Sequence, residues 1–388
     1  MRIVFNELKR IFNFKMVLLL IIINLIMYFL FIRLDVTYFA KEGHAKDMHE
    51  MYVEIRNKYG NNMDKSEFKD FKKSYYNEKI KEINKHIENN SELNKYGIKN
   101  YDELIKKYNT AADKTDRDSQ KIVNIYEDIM FKREVEAFYQ LESIEWFINW
   151  YNNKDSMMSA MIANNPNIKS RVEEIVKRGD ETSIFSSIFM DNYNNLIRGT
   201  CSTIIIGSVF MILPIYFKDK KNNIRDIQYT CKNGRKIFKD KIMASIIASL
   251  IITTVDIIIL FILYRNNNTS MFFDCSVNSV FNQILSWYNI TFIQYIIITV
   301  VAVYILALAF CLTSILISSL VKNYISLIAL ELPIVLIVIV LLLEKLIGAI
   351  DKVIYAKWIF PVIYLCIFLV PIILMIVRWR KEKSLDIV

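Results

Sequence analysis

Glycine, proline, cysteine and histidine are all scarce. The 388 residues hold eight Gly, five Pro, five Cys and three His. So little Gly and Pro excludes collagen-like, low-complexity and disordered chains. None of the glycines opens a GxxxxGK[ST] phosphate loop, so the chain does not hydrolyse ATP by that route. GxGxxG, HExxH and GxSxG are absent too. The cysteines stand at 201, 231, 275, 311 and 366 without a CxxC spacing. A disulfide framework and a Cys-ligated zinc site are therefore not expected. His44 and His49 are five apart, a poor same-face spacing on a helix, and with His86 they read as solvated surface histidines. No catalytic, cofactor or metal residues are assigned.

What is present falls into two populations. Residues 33–197 carry 26 Lys/Arg and 29 Asp/Glu, a net of −3, and no cysteine. The other 223 residues carry 23 Lys/Arg and 11 Asp/Glu, a net of +12, with nearly every long apolar run. The frame reads as membrane and the insert as a soluble domain. About 20 apolar residues cross a hydrocarbon core. Six stretches qualify: 16–32 (short, but extended by Ile11, Phe12 and Phe14), 199–217, 242–264, 290–319, 324–343 and 358–377. The first has a basic start but no small-x-small cleavage site, since Phe31-Ile32-Arg33-Leu34-Asp35 follows, so an uncleaved anchor is expected.

Lys and Arg mark the cytoplasmic side. Arg2, Lys9, Arg10 and Lys15 precede the first stretch. Nine Lys/Arg against three Asp fill 218–241, Lys322 lies in the turn between the fourth and fifth, and Arg378, Arg380, Lys381 and Lys383 follow the sixth. All four clusters fall on one side if both termini are cytoplasmic. Residues 33–197 are then extracellular, with the 265–289 loop and the 344–357 segment.

The insert carries helical periodicity and no alternating strand pattern. Phe68, Phe71, Tyr75, Tyr76, Ile80, Ile83 and Ile87 form a stripe over 64–90, with Tyr75 and Tyr76 as adjacent shoulders. A second long helix is expected over 116–152, started by Thr115 and Asp118. Gly60, Gly97 and Gly179 suit helix C-termini. The expectation is an elongated, all-helical domain of five or six helices, standing on the membrane as a stalk or cap. The aromatics Phe138, Tyr139, Trp146, Phe147, Trp150 and Tyr151 read as helix core with interface contact rather than a ligand surface. Ser183–Asn195 is expected to run into the second span as one helix. Glu173-Glu174-x-x-x-Arg178 looks like a motif of intramembrane CAAX-type proteases, but that chemistry needs intramembrane histidines downstream and none exists.

The 218–241 loop is longer than a turn needs. It has room for a short helix over 223–230 and a break at Gly234, and Ile224, Ile227 and Tyr229 would suit docking into a groove on another protein. Ile3, Val4, Leu8, Ile11 and Phe12 alternate with Arg2, Glu7, Lys9 and Arg10, the pattern of an amphipathic helix in the headgroup region. Inside the spans, Asp256, Glu331 and Asn24 are candidates for a polar path. Asp256 suits a polar lining or a helix–helix bond, Glu331 a helix–helix bond or contact near Lys322, and Asn24 an interhelical bond.

Together the amphipathic N-terminal helix, the six spans and the tail Asn233-Gly234-Arg235, Ile237-Phe238 and Lys241 resemble the permease subunit of ABC-2-type ABC exporters. The resemblance covers 1–32 and 198–388, and the insert lies where several members carry an external domain. Ser318 to Asn323 resembles the family's turn between spans four and five, and 344–357 its external re-entrant hairpin. The Pro usual before the Arg is missing, and Asp219 and Asn222 are weak stand-ins for the acidic start of the coupling segment. The resemblance implies an all-α polytopic membrane protein that is no enzyme itself. A separate ATP-binding-cassette subunit, holding ATP and Mg, would dock on Ile224, Asp226, Ile227, Tyr229, Gly234 and Arg235. It also implies a permease homodimer or heterodimer, membrane lipid as surroundings, no nucleic acid, and export of an antimicrobial peptide, lipid or drug. A membrane-anchored receptor or sensor using the outer domain, and an ion-coupled carrier using Asp256, stand as alternatives.

Overall fold

The computed structural model describes residues 2–132, 135–221, 236–321 and 323–384. Among them the regular structure is helical with no strand, and two isolated bridges join Asn62 to Ser183 and Ser286 to Lys352. Six helices are long and apolar enough to cross a membrane: Phe14–Thr37, Ser187–Phe217, Ile237–Asn267, Phe292–Leu320, Ile325–Leu342 and Ile359–Lys381, here spans one to six. The chain is a transmembrane, all-helical protein, and each span overlaps a stretch that hydropathy picks out. It divides into two compact units, residues 1–38, 189–270 and 286–388 in one and residues 39–188 and 271–285 in the other.

In the membrane unit, the amphipathic helix Arg2–Ile11 ends where Asn13 begins span one. The Asn13 side chain accepts from the Met16 N–H at 3.2 Å and donates to the Arg10 carbonyl at 2.8 Å. One residue thus caps a helix start and ties the preceding helix end. Phe12 therefore lies outside the span rather than extending it. Span two is the most enclosed of the six. Gly199 and Gly207 let span one approach it closely: a Cβ at Gly199 would sit 3.2 Å from the Phe31 Cβ and 3.3 Å from its carbonyl oxygen. Small residues serve this purpose where lipid tails give no hydrophobic drive between helices. Span one is π-helical over Tyr28–Ile32, and span five runs into π turns at Val338–Leu342 and Glu344–Gly348. The 344–357 segment continues as turns, held by Trp287, whose backbone N–H donates to the Asp351 carbonyl at 2.8 Å and whose indole N–H donates to the Tyr355 carbonyl at 2.7 Å. Apolar side chains on the outer faces of spans one, three, five and six stay exposed, as lipid-facing positions do.

The second unit holds nine α-helices among the described residues between Gly43 and Arg178, more than the five or six expected. The 64–90 stripe is one continuous helical run with a π turn at Lys72–Tyr76. That turn absorbs the extra residue which makes Tyr75 and Tyr76 both shoulders of the stripe. The expected 116–152 helix is two helices, Arg117–Lys132 and Glu136–Asn152, because Val135 adopts an extended backbone. The first is capped by Asp116, which accepts from the Ser119 N–H at 3.0 Å, rather than by Thr115. Gly60, Gly97 and Gly179 all have positive φ. Residues 183–186 are not helical, and span two's helix starts at Ser187.

The core of this unit is aromatic. Phe147 stacks on Phe281 at 4.4 Å and meets Tyr52 and Phe71 edge-on at 5.7 and 5.2 Å. Tyr151 stacks on Phe68 at 3.9 Å and donates its hydroxyl to the Met63 carbonyl. Phe281 and Phe272 belong to the 271–285 segment and are fully buried. That segment is therefore core-forming, not a free loop. Its sequence signal was the run of Phe272, Phe273, Val277, Val280, Phe281 and Leu285 in a loop read only as extracellular.

Candidate functional site

At the basic end of the membrane unit, four charges converge from three elements. The Arg2–Ile11 helix turns Val4, Leu8 and Ile11 onto a core made with Met211, Ile212, Ile215, Phe238 and Ile315. Its polar side then presents Glu7 and Arg10. Asp219 lies in the short helix Pro214–Lys221 that follows span two, and Lys241 in the opening turns of span three. Asp219 accepts from the Arg10 guanidinium through one oxygen and from the Lys241 ammonium through the other. Arg10 also lies 3.6 Å from Glu7. The Lys241 ammonium sits over the Tyr216 ring, 5.1 Å from its centre, and the Tyr216 hydroxyl donates to the Phe238 carbonyl at 2.8 Å.

Asp219 and Lys241 are 2 % and 3 % exposed, so this is a buried ion pair with Arg10 as the partly exposed third member. Burial alone would raise the Asp219 carboxyl, but the hydrogen bonds from Arg10 and Lys241, with their charges, outweigh it and hold the group below the ordinary carboxylate range. Glu7 goes the other way: burial pushes its carboxyl up against the pull of Lys241 and Arg10. With all four ionised, the cluster is neutral.

The two stems of the basic loop, Asp219 on one and Lys241 on the other, are thus bonded to each other and to the N-terminal helix. Sequence reading placed Lys241 in a motif tail and Asp219 as a weak stand-in, and it missed Arg10 as their partner. The available signal was an acid two residues after a span, at the start of a loop with nine Lys/Arg and three Asp. The docking candidates Ile224, Asp226, Ile227, Tyr229, Gly234 and Arg235 lie outside the described residues.

The three candidates for a polar path are not joined by any hydrogen bond or ion pair among the described residues. Asp256 is buried at 7 % exposure, and its Oδ2 has no hydrogen-bond partner. Glu331 of span five accepts from the Ser314 hydroxyl of span four at 2.5 Å, while its Oε2 is left unbonded. Asn24 donates to the Leu20 carbonyl of its own helix at 3.0 Å, not to a neighbouring span. A polar tier not anticipated from sequence joins spans two and four: the Tyr193 and Thr299 hydroxyls are 2.7 Å apart, and the Tyr295 hydroxyl donates to Asn194 at 2.7 Å. In the second unit, Arg171 pairs with Glu174 at 2.8 Å and Arg178 with Asp180 at 2.9 Å, ordinary charge pairing within and beside one helix.

No family model matches the chain, and no match is found among curated proteins or among solved structures.

Proposed function

We propose that this chain is the permease subunit of an ATP-driven exporter of the ABC-2 type, coupled through its 218–241 loop to a separate ATPase that binds ATP and Mg. The observation that carries the reading is the buried Arg10–Asp219–Lys241 cluster at the base of that loop. A loop that only satisfied the positive-inside rule would have no need of a buried three-way ion bond across its stems. A push on residues 222–235 would reach spans two and three together, and the N-terminal helix with them, because Asp219 bonds to both neighbours at once. The substrate is a hydrophobic or amphipathic molecule moving along a permease dimer.

In this reading both termini are cytoplasmic and residues 33–197 extracellular. Support comes from the makeup of the second unit. Residues 39–188 follow span one and residues 271–285 follow span three, so alternating crossings put both on one side, as a single compact unit requires.

The test is copurification of the chain with the ATPase subunit and vanadate-sensitive ATP hydrolysis by the complex. Both are expected. Transport by the chain alone, driven by a proton gradient, would replace this reading with an ion-coupled carrier. Labelling of 218–241 from outside the cell would remove it altogether.

A further inference from the structure

Near the outer ends of spans one, two and five lies a cavity of about 330 Å³ whose two ends differ in chemistry. One wall is apolar, formed by Leu30, Phe31 and Leu34 of span one with Val340 and Leu343. Leu30, Leu34 and Val340 are 63 %, 64 % and 70 % exposed, so this wall is continuous with the lipid-facing surface. The floor is Gly199 and Ser202 of span two, both buried. The polar end carries Arg198, Asp35 and Glu344.

Arg198 neighbours both acids, Glu344 directly and Asp35 through Asn195, which bonds to each. The Arg198 guanidinium donates Nε to the Asn194 carbonyl at 3.2 Å and Nη2 to Asn195, which fixes its plane. Its Nη1 has only a loose 3.9 Å approach to Glu344, whose side chain is 80 % exposed. That N–H edge therefore has donor capacity left for an anion. Asn195 also donates to the Asp35 carboxylate at 3.2 Å, and Asp35 and Glu344 both line the polar end and offer acceptors for an ammonium. A purely anionic head group would meet two carboxylates. A purely cationic one would meet the guanidinium. A head group with a phosphodiester and a primary ammonium complements both signs.

We infer that this cavity is a binding site for a phospholipid with a phosphoethanolamine head group, its phosphodiester on Arg198, its ammonium between Asp35 and Glu344, and an acyl chain along the Leu30–Leu34 and Val340–Leu343 wall. Span depth agrees: Asp35 lies near the end of span one and Glu344 just past span five, the level where head groups sit. The site stands apart from the transport reading, because lipid retention is a property of this chain alone.

The experiment is native mass spectrometry of the delipidated full chain titrated with phosphatidylethanolamine, phosphatidylglycerol, glycerophosphoethanolamine or dodecyltrimethylammonium. Wild type is expected to retain phosphatidylethanolamine about tenfold better than phosphatidylglycerol, and Arg198→Gln to lose about tenfold, the worth of one charge-assisted hydrogen bond. Arg198→Lys should recover part of the loss. Glu344→Gln touches an exposed side chain, so it should fold normally and weaken retention of phosphatidylethanolamine but not of phosphatidylglycerol, narrowing the preference between the two lipids. Unchanged retention in Arg198→Gln overturns the assignment, as does equal retention of the two lipids by wild type. Competition by glycerophosphoethanolamine at the same concentration would mean a free head-group site. Displacement by dodecyltrimethylammonium that survives Arg198→Gln would mean a cationic amphiphile site.

Discussion

At the level of single residues, Asp219 carries the strongest prediction. It is an acid bonded to two bases in a water-poor place. Asp219→Ala leaves Lys241 buried without its partner and is expected to cost about 3–5 kcal/mol, read as a lower thermal midpoint of the purified chain. The double change Asp219→Leu with Lys241→Met removes the buried pair, and such replacements are often neutral or stabilising. It should fold with a midpoint near wild type and, under the proposed function, no longer stimulate ATP hydrolysis by a separate ATPase subunit. Recovery of both midpoint and coupling would mean the cluster serves folding only. The pH dependence follows from the directions. The folded Asp219 carboxyl lies below its unfolded value, about 3.9, so its stabilisation is complete above that pH and disappears as pH falls through the folded value. The folded Glu7 carboxyl lies above its unfolded value, so its contribution is present in acid and is lost as pH rises through the folded value. Near neutrality the Asp219 bond is therefore intact, and stability there is expected to be flat with respect to this group. Asp256 gives the opposite substitution result. A buried carboxylate with an unbonded oxygen costs several kcal/mol if it stays charged in the membrane. Asp256→Asn should therefore leave the midpoint unchanged or raise it, and a clear fall would expose a stabilising partner for the acid.

At the level of elements, the two glycines of span two make unequal predictions. The closest atom to a Cβ at Gly207 is Leu20 Cδ1 at 2.8 Å, the tip of a flexible side chain. The neighbours of a Cβ at Gly199 are farther, at 3.2 and 3.3 Å, but they include the Phe31 carbonyl and Cβ, which cannot rotate away. Gly199→Ala should therefore cost more than Gly207→Ala, by about 1 kcal/mol in relative thermal stability, although its contacts are longer. The same contrast between backbone and side chain explains which parts of the fold sequence reading reached. Spans were legible because lipid demands a long apolar run and a helix within it. The 64–90 helix was legible, and even its π turn left a trace as two adjacent shoulders at Tyr75 and Tyr76. The break at Val135 was not, because residues on both sides keep helical periodicity and the extended Val135 changes no composition. The Arg10–Asp219–Lys241 bond was not, because it joins positions 209 and 22 residues apart that only packing brings together. Asn24 misled for a related reason: a polar residue in a span signals that it needs a partner, not where the partner lies.

At the level of the whole molecule, the core of the second unit is built from two stretches of chain separated by two spans. Phe281 comes from the 271–285 segment, yet it stacks on Phe147 and lies edge-on to Tyr52 at 6.0 Å, at the centre of that core. Met271 accepts from Arg56 through its carbonyl at 3.2 Å, and the Ser279 hydroxyl donates to the Ser183 carbonyl at 2.6 Å. Removing the 271–285 segment therefore empties an aromatic site and frees buried hydrogen-bonding groups together. Loss of a buried Phe ring alone costs about 3–5 kcal/mol, against a whole-domain stability of about 5–15 kcal/mol. A 39–188 fragment made by itself is thus expected to unfold over a broad range at low denaturant. The same fragment with 271–285 joined by a flexible linker should unfold sharply, at a higher midpoint. In the full chain, Phe281→Ala should raise amide exchange throughout 43–178 and leave that of spans two and four unchanged. The coupling between distant segments is what these measurements read. If the bare fragment melts as sharply and as late as the joined one, the 271–285 segment decorates a core that the insert already completes alone.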